Sequence, residues 1–204
     1  MAPVTPSSLE RLRDFVSAVT RLVNESPSEA DLLERLAPAL RSLVSHDDWL
    51  PGELARPHAQ YYQQNLLHAD PLERFSVVSF VWGPGQETPI HDHTVWGAIG
   101  MLRGEEEAQG FVLDAAGRPV PHGEPVRLRP GSIETVSPRV GDIHRVRNAC
   151  PDRVSISIHV YGANIGAVRR SVYAPDGTRK PFISGYSNAW VPNLWDRSRE
   201  PAAR

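Results

Sequence analysis

Two histidines two residues apart, in the run Pro89-Ile90-His91-Asp92-His93-Thr94-Val95-Trp96-Gly97, are the first residues of this chain whose types and spacing suit chemistry. Side chains alternate faces along a β-strand, so His91 and His93 would point the same way. Two imidazoles on one face can hold one metal if a third ligand arrives from another strand. His144, in the turn Gly141-Asp142-Ile143-His144 that opens a Val-rich segment, is the candidate. Three neutral imidazoles suit a late first-row divalent metal, and a site with three protein ligands keeps positions open for a substrate.

A second constellation follows in Ser157-Ile158-His159-Val160-Tyr161. On a strand, Ser157, His159 and Tyr161 share one face, while Ile156, Ile158 and Val160 form the other. Three polar side chains facing an interior are costly unless they satisfy one another. A relay from serine to histidine to tyrosine would do so and leave the tyrosine hydroxyl toward the metal pocket. A strand with its polar face in water is the competing reading of the same pattern.

The elements that must position these residues are legible in outline. The 204 residues suffice for one domain with a substantial core, and 40% apolar with 23% charged residues is ordinary for a globular protein. A formal net charge of -2, without a long basic cluster, gives no reason to expect nucleic acid. Nineteen prolines and fifteen glycines point to many turns between short strands. The lone cysteine, Cys150, excludes an intramolecular disulfide and fits a reducing cytosol. The first residues lack a signal peptide's basic and apolar regions, and no apolar run approaches the roughly eighteen residues of a membrane span. A soluble, cytoplasmic protein with no membrane partner is expected.

Leu9, Leu12, Phe15, Val16, Val19 and Leu22 recur at helical spacing and predict a helix over 7–24, capped by Ser7 or Ser8. A second helix is predicted over 28–45, with Pro38 expected to kink or split it. Strands are predicted at 75–82, 95–102, 107–113, 125–128, 132–136, 144–148 and 153–161. Short strands in quick succession argue for an antiparallel barrel or double-sheet roll. Residues 1–56 thus read as a helical elaboration, 57–190 as the β-barrel and 191–204 as a tail, charged and frayed from Asp196. Trp96 either walls the pocket or belongs to ordinary core, and Glu105-Glu106-Glu107, after a glycine turn, reads as a solvated hairpin tip.

The histidine segments resemble the two motifs of the cupin superfamily. The first matches at Gly85, His91, His93 and Gly104, and departs at the family's glutamate, where the spacing lands on Gly97. The second matches from Pro138 through Gly141 and His144 to Asn148, with one extra residue between proline and glycine. The resemblance implies a mainly β, cupin-type double-sheet β-barrel (jelly roll) with the N-terminal helices packed outside. Without the glutamate, three neutral ligands leave a metal its full double charge, which favours an anionic partner such as a thiolate.

With Ser157, His159 and Tyr161 added, the chain resembles the thiol dioxygenases, the cysteine dioxygenase-like branch of the cupins, from about Tyr61 to Tyr186. That resemblance implies Fe(II) on His91, His93 and His144, with Tyr161, His159 and Ser157 as the catalytic relay. It further implies addition of both atoms of O2 to the sulfur of a small thiol, giving a sulfinate. Two departures bear on the subtype. Gln64, in Tyr62-Gln63-Gln64-Asn65-Leu66, stands where the animal enzymes carry a carboxylate-binding arginine. Gly97 stands about where they carry a cysteine crosslinked to the tyrosine, and Cys150 lies in a turn after the third histidine. Both departures are similar to bacterial 3-mercaptopropionate dioxygenases. A substrate carboxylate would then need another cation, and Arg169 or Arg170 could reach back to it, Arg170 by preference. The readings left open are a dioxygenase acting on L-cysteine and a non-catalytic, metal-binding cupin sensor.

Overall fold

The computed structural model describes residues 8–195, so the helix cap expected at Ser7 or Ser8 and the charged stretch from Asp196 lie outside the described residues and side chains. Helix α1 spans Ser8–Asn24 and α2 spans Glu29–Val44. Ser28 caps α2, its hydroxyl accepting the backbone N–H of Asp31. Pro38 does not split α2, which runs unbroken through it. A proline removes one rung of the helical ladder, and burial of Leu32, Leu36, Leu40 and Leu43 holds the remaining turns together. Neither helix is long and apolar enough to cross a membrane.

The strands are β1 Gln63–Ala69, β2 Ser76–Trp82, β3 Ile90–His91, β4 Gly97–Arg103, β5 Glu106–Leu113 and β6 Pro119–Leu128, followed by β7 Ile133–Val136, β8 His144–Asn148, β9 Ser155–Tyr161, β10 Arg170–Tyr173 and β11 Arg179–Phe182. They form a five-stranded sheet in the order β1-β2-β9-β4-β7 and a six-stranded sheet in the order β11-β10-β3-β8-β5-β6. Every pairing is antiparallel. The fold is mainly β, as expected, but among the described residues the strand pairing leaves two facing sheets rather than a closed barrel.

Four strands escape the sequence pattern. β1 reads Gln-Gln-Asn-Leu-Leu-His-Ala, without a β-branched residue, and its buried Asn65 is satisfied by the carbonyl of Leu54. β11 contains Pro181, which a sheet tolerates at its edge, where this strand lies. β3 is two residues long, too short to show alternation. β10 is only four residues long and is paired on both sides, by β3 and β11.

The five-stranded sheet buries both faces. Val77, Val81, Ala98, Leu102, Ile156, Ile158 and Val160 share a core with Leu12, Phe15, Leu36, Leu40 and Trp49 on the helical side. Gly100 of β4 is the point of closest approach there, since a Cβ would stand 2.9 Å from side-chain atoms of Leu40 and Val44. The opposite face turns Val78, Phe80, Trp82 and Tyr161 toward Ala108 and Val146 of the second sheet. The site is built between the sheets.

The Glu105-Glu106-Glu107 run is not a solvated tip. β5 begins at Glu106, which pairs with Leu128 on one side and Asn148 on the other and is 0% exposed. Strand alternation sends its neighbours outward, where Glu105 meets Arg127 and Glu107 meets Arg147.

Candidate metal centre and active site

His91 and His144 are direct partners across β3 and β8. His93 lies just past the short strand β3, so strand alternation alone does not place it; two aspartates do. Asp142 accepts the backbone N–H of His93 at 3.0 Å and that of Thr94 at 2.8 Å. This holds Thr94 in a left-handed turn, at a φ of 61°. Asp92, pointing the other way, accepts the Ser171 backbone N–H and the Tyr173 hydroxyl, both at 2.7 Å. The segment carrying the two histidines is thereby pinned to β10 and to the turn before β8.

The three imidazoles are buried, at 8%, 1% and 6% exposure for His91, His93 and His144. Their potential ligand atoms all lie within 4.8 Å of one another, so the trio can hold a metal ion. Burial holds His91 down to about 4 and pushes His93 and His144 well below the ordinary histidine range, the neighbouring imidazoles adding to it. All three are therefore neutral near pH 7, the form that binds metals. The His93–Asp142 contact is accordingly a hydrogen bond, 3.1 Å from Nδ1, rather than an ion pair. His91 Nδ1 likewise donates to the carbonyl of Pro89 at 3.0 Å. With their Nδ1 atoms engaged, both rings keep Nε2 free for a metal, an orientation typical of ligating histidines. The donor set fits a divalent first-row ion.

The polar row of β9 faces the same interior. Ser157 Oγ lies 2.8 Å from His159 Nε2, and His159 Nδ1 lies 2.8 Å from the Tyr161 hydroxyl. The competing reading, a polar face in water, does not describe this strand, every residue of which is buried. Burial lowers His159 to about 3 and raises Tyr161 far above its ordinary value, so the row is uncharged. The Tyr161 ring stacks on His93 at 5.2 Å. Gly97 makes room for it, since a Cβ there would stand 3.0 Å from the tyrosine ring and 2.9 Å from Val136. Cys150 is buried beyond the far end of β8 from His144, away from this ring.

A cavity of about 250 Å³ opens beside His91 and reaches Gln64, Arg170, Tyr62 and Ser184. Arg170 is 3% exposed, lies 4.7 Å over the Phe182 ring and donates to Ser184 Oγ at 2.7 Å. Its Nε has no hydrogen-bond partner among the described residues. Gln64 spends its side-chain N–H groups on Ser184 Oγ at 3.1 Å and the Gly185 carbonyl at 3.0 Å. Arg169, by contrast, is exposed and does not line the cavity. Trp96 does not line it either and packs against the helical core. Sequence reasoning passed over Asp142 and Asp92, whose partners lie far away along the chain, and Ser184, which only the fold brings beside Gln64. The Asp between the two histidines was visible, but nothing in the pattern told which way it faced.

Comparison with known proteins finds several similar solved structures and one family. An uncharacterized conserved protein with a double-stranded β-helix domain from Klebsiella pneumoniae is 25% identical, over 56% of this chain and 88% of its own, with a TM-score of 0.44. The protein TT1209 from Thermus thermophilus is 21% identical over 54% of this chain and 91% of its own, with a TM-score of 0.42. An RmlC-like cupin from Desulfovibrio desulfuricans is 24% identical over 52% of this chain and 88% of its own, with a TM-score of 0.37. The family match is more extensive: residues 4–171 match cysteine dioxygenase type I. The chain belongs to the cysteine dioxygenase type I family, a family of thiol dioxygenases.

Proposed function

We propose that the protein is a non-haem Fe(II) thiol dioxygenase that adds both atoms of O2 to the sulfur of 3-mercaptopropionate, in preference to L-cysteine, and releases the sulfinate. The observation that carries the substrate reading is the cavity lined by both an imidazole, His91, and a buried guanidinium, Arg170. Its family is iron-dependent, and His91, His93 and His144 would hold the ion. Bound there, Fe(II) would supply Lewis acidity toward the thiol and electron transfer toward O2.

The remaining work falls to side chains. Arg170, held by Ser184 and with donors to spare, binds the substrate carboxylate and turns the thiol end toward the histidines. Gln64 is neutral and committed to Ser184 and Gly185, so it bounds the cavity rather than neutralising an anion. No aspartate or glutamate lines the cavity among the described residues. An α-ammonium group, as in L-cysteine, would meet Arg170 without a compensating carboxylate, which disfavours cysteine. Tyr161, oriented by His159, keeps its hydroxyl proton at the metal side of the interior. With a single cysteine the chain forms no intramolecular disulfide, and the location proposed for it is the cytoplasm.

Steady-state oxygen consumption by the iron-loaded protein tests the preference. The expected kcat/KM for 3-mercaptopropionate exceeds that for L-cysteine by roughly tenfold or more, a difference of about 1.4 kcal/mol. A higher value for cysteine would overturn it.

A further inference from the structure

At the end of the interior away from the histidines, four buried polar atoms lack a well-formed hydrogen bond among the described residues: both carboxyl oxygens of Glu106, Ser155 Oγ and Trp82 Nε1. Trp82 and Ser155 are cross-strand partners on β2 and β9, and Ser155 and Ser157 are the hydroxyls that act on the Glu106 carboxyl. Buried polar groups are rarely left poorly satisfied, so such a cluster in an interior asks for a role. Ser157 begins the Ser157–His159–Tyr161 row, and Glu106 stands behind it.

We propose that Glu106 is a fourth, positioning member of this row, and that its proton sets the direction of the hydrogen bonds that end at Tyr161. The inference rests on the dioxygenase reading of the site. With Glu106 protonated, its O–H can donate to Ser157 Oγ, Ser157 donates to His159 Nε2, and His159 Nδ1–H donates to the Tyr161 oxygen. The Tyr161 proton is then free to point toward the histidines. A carboxylate can only accept. Once Glu106 has released its proton to solvent, Ser157 donates to the carboxylate, His159 carries its proton on Nε2, and Tyr161 donates back to Nδ1. One proton has left, and the tyrosine presents only lone pairs to the site.

The surroundings favour the protonated form. β8 places Asn148 beside Glu106, β6 places Leu128 there, β4 contributes Met101, β2 Trp82, and β9 the two serines. None of these is charged, and the titratable side chains on this face of β9 are His159 and Tyr161, both neutral. The Asn148 amide is spent on the carbonyls of Trp82, Gly83 and Arg153. Burial pushes the carboxyl up to about 8, against a smaller opposing pull from Ser157 and Ser155.

Two readouts test this. In the iron-loaded enzyme, kcat should fall as pH rises through about 8. Glu106→Gln, whose amide donates at every pH, should lose that alkaline limb. Glu106→Leu, with no donor, should lower kcat by roughly tenfold or more at neutral pH, and Glu106→Gln should restore most of it. Independently of turnover, 15N-histidine NMR of the zinc-loaded protein should show His159 as the Nδ1–H tautomer at neutral pH and Nε2–H at alkaline pH, with no change of tautomer in Glu106→Gln. An alkaline limb identical in wild type and Glu106→Gln, or a His159 tautomer indifferent to pH, would overturn the inference. Because the tautomer is read without substrate, a protein that turned over no thiol would sink the enzymatic reading while still reporting on Glu106.

Discussion

Strand β9 buries both of its faces equally, yet the two are chemically opposite. Ile156, Ile158 and Val160 are each 0% exposed against the helices, and Ser155, Ser157, His159 and Tyr161 are at most 3% exposed against the second sheet. The first face is stabilising through apolar burial, worth about 2 kcal/mol or more per large side chain. The second spends stability on polar groups that burial must leave neutral and hydrogen-bonded to one another. One strand thus shows a scaffold and a site back to back, and mutations on its two faces should fail in different ways.

The largest effect belongs to the metal centre that the polar face overlooks. His144→Ala should bring bound iron to background and abolish oxygen consumption, as metal analysis and an oxygen electrode would show; full iron occupancy would refute the three-histidine site. Next comes the contrast across β9. Ile158→Ala should cost about 2–5 kcal/mol of stability in denaturant unfolding while kcat per folded, iron-loaded molecule stays near wild type. Tyr161→Phe should invert this pattern, lowering kcat by roughly 10–100-fold with a much smaller loss of stability. Matching losses in both variants would erase the distinction between the faces.

At the cavity, Arg170→Gln should raise KM for 3-mercaptopropionate by roughly tenfold or more, whereas Arg169→Gln should leave it within about twofold, since an exposed charge is well screened. Equal effects would remove the assignment of the carboxylate to Arg170. The last effect concerns stability and pH rather than turnover. The folded protein holds the Glu106 proton more tightly than the unfolded chain, its ordinary value of 4.5 being raised to about 8. Stability from this group is present in full below about 4.5 and is lost as pH rises toward 8. Glu106→Gln should therefore gain in melting temperature relative to wild type between pH 5 and pH 8, by roughly ten degrees; a constant difference would mean that Glu106 does not titrate in this range.

What was legible in the sequence follows the same division. The period-two pattern of β9 announced both faces, because two buried faces of opposite polarity still alternate. His91, His93 and His144 stood out by residue type and by the glycine turns before them, and the structure brings them together. The helices and the long apolar strands were equally plain. Non-local pairing was not. Glu106 sits between two acidic neighbours after a glycine, the signature of an exposed tip, and only its placement between β6 and β8 buries it. The two-residue strand β3 is held by Asp92 and Asp142 through partners on other elements, and Ser184 reaches Gln64 across 120 residues of chain. Each of these depends on where a distant segment returns, which spacing along one strand cannot encode.

The central claim is that this interior delivers both atoms of dioxygen to a thiol sulfur. Turnover of 3-mercaptopropionate by the iron-loaded protein under 18O2, read by mass spectrometry of the product, tests it most directly. The account predicts a sulfinate carrying two 18O atoms, with one dioxygen consumed per thiol. Disulfide with hydrogen peroxide, or a product in which solvent supplied an oxygen, would contradict it.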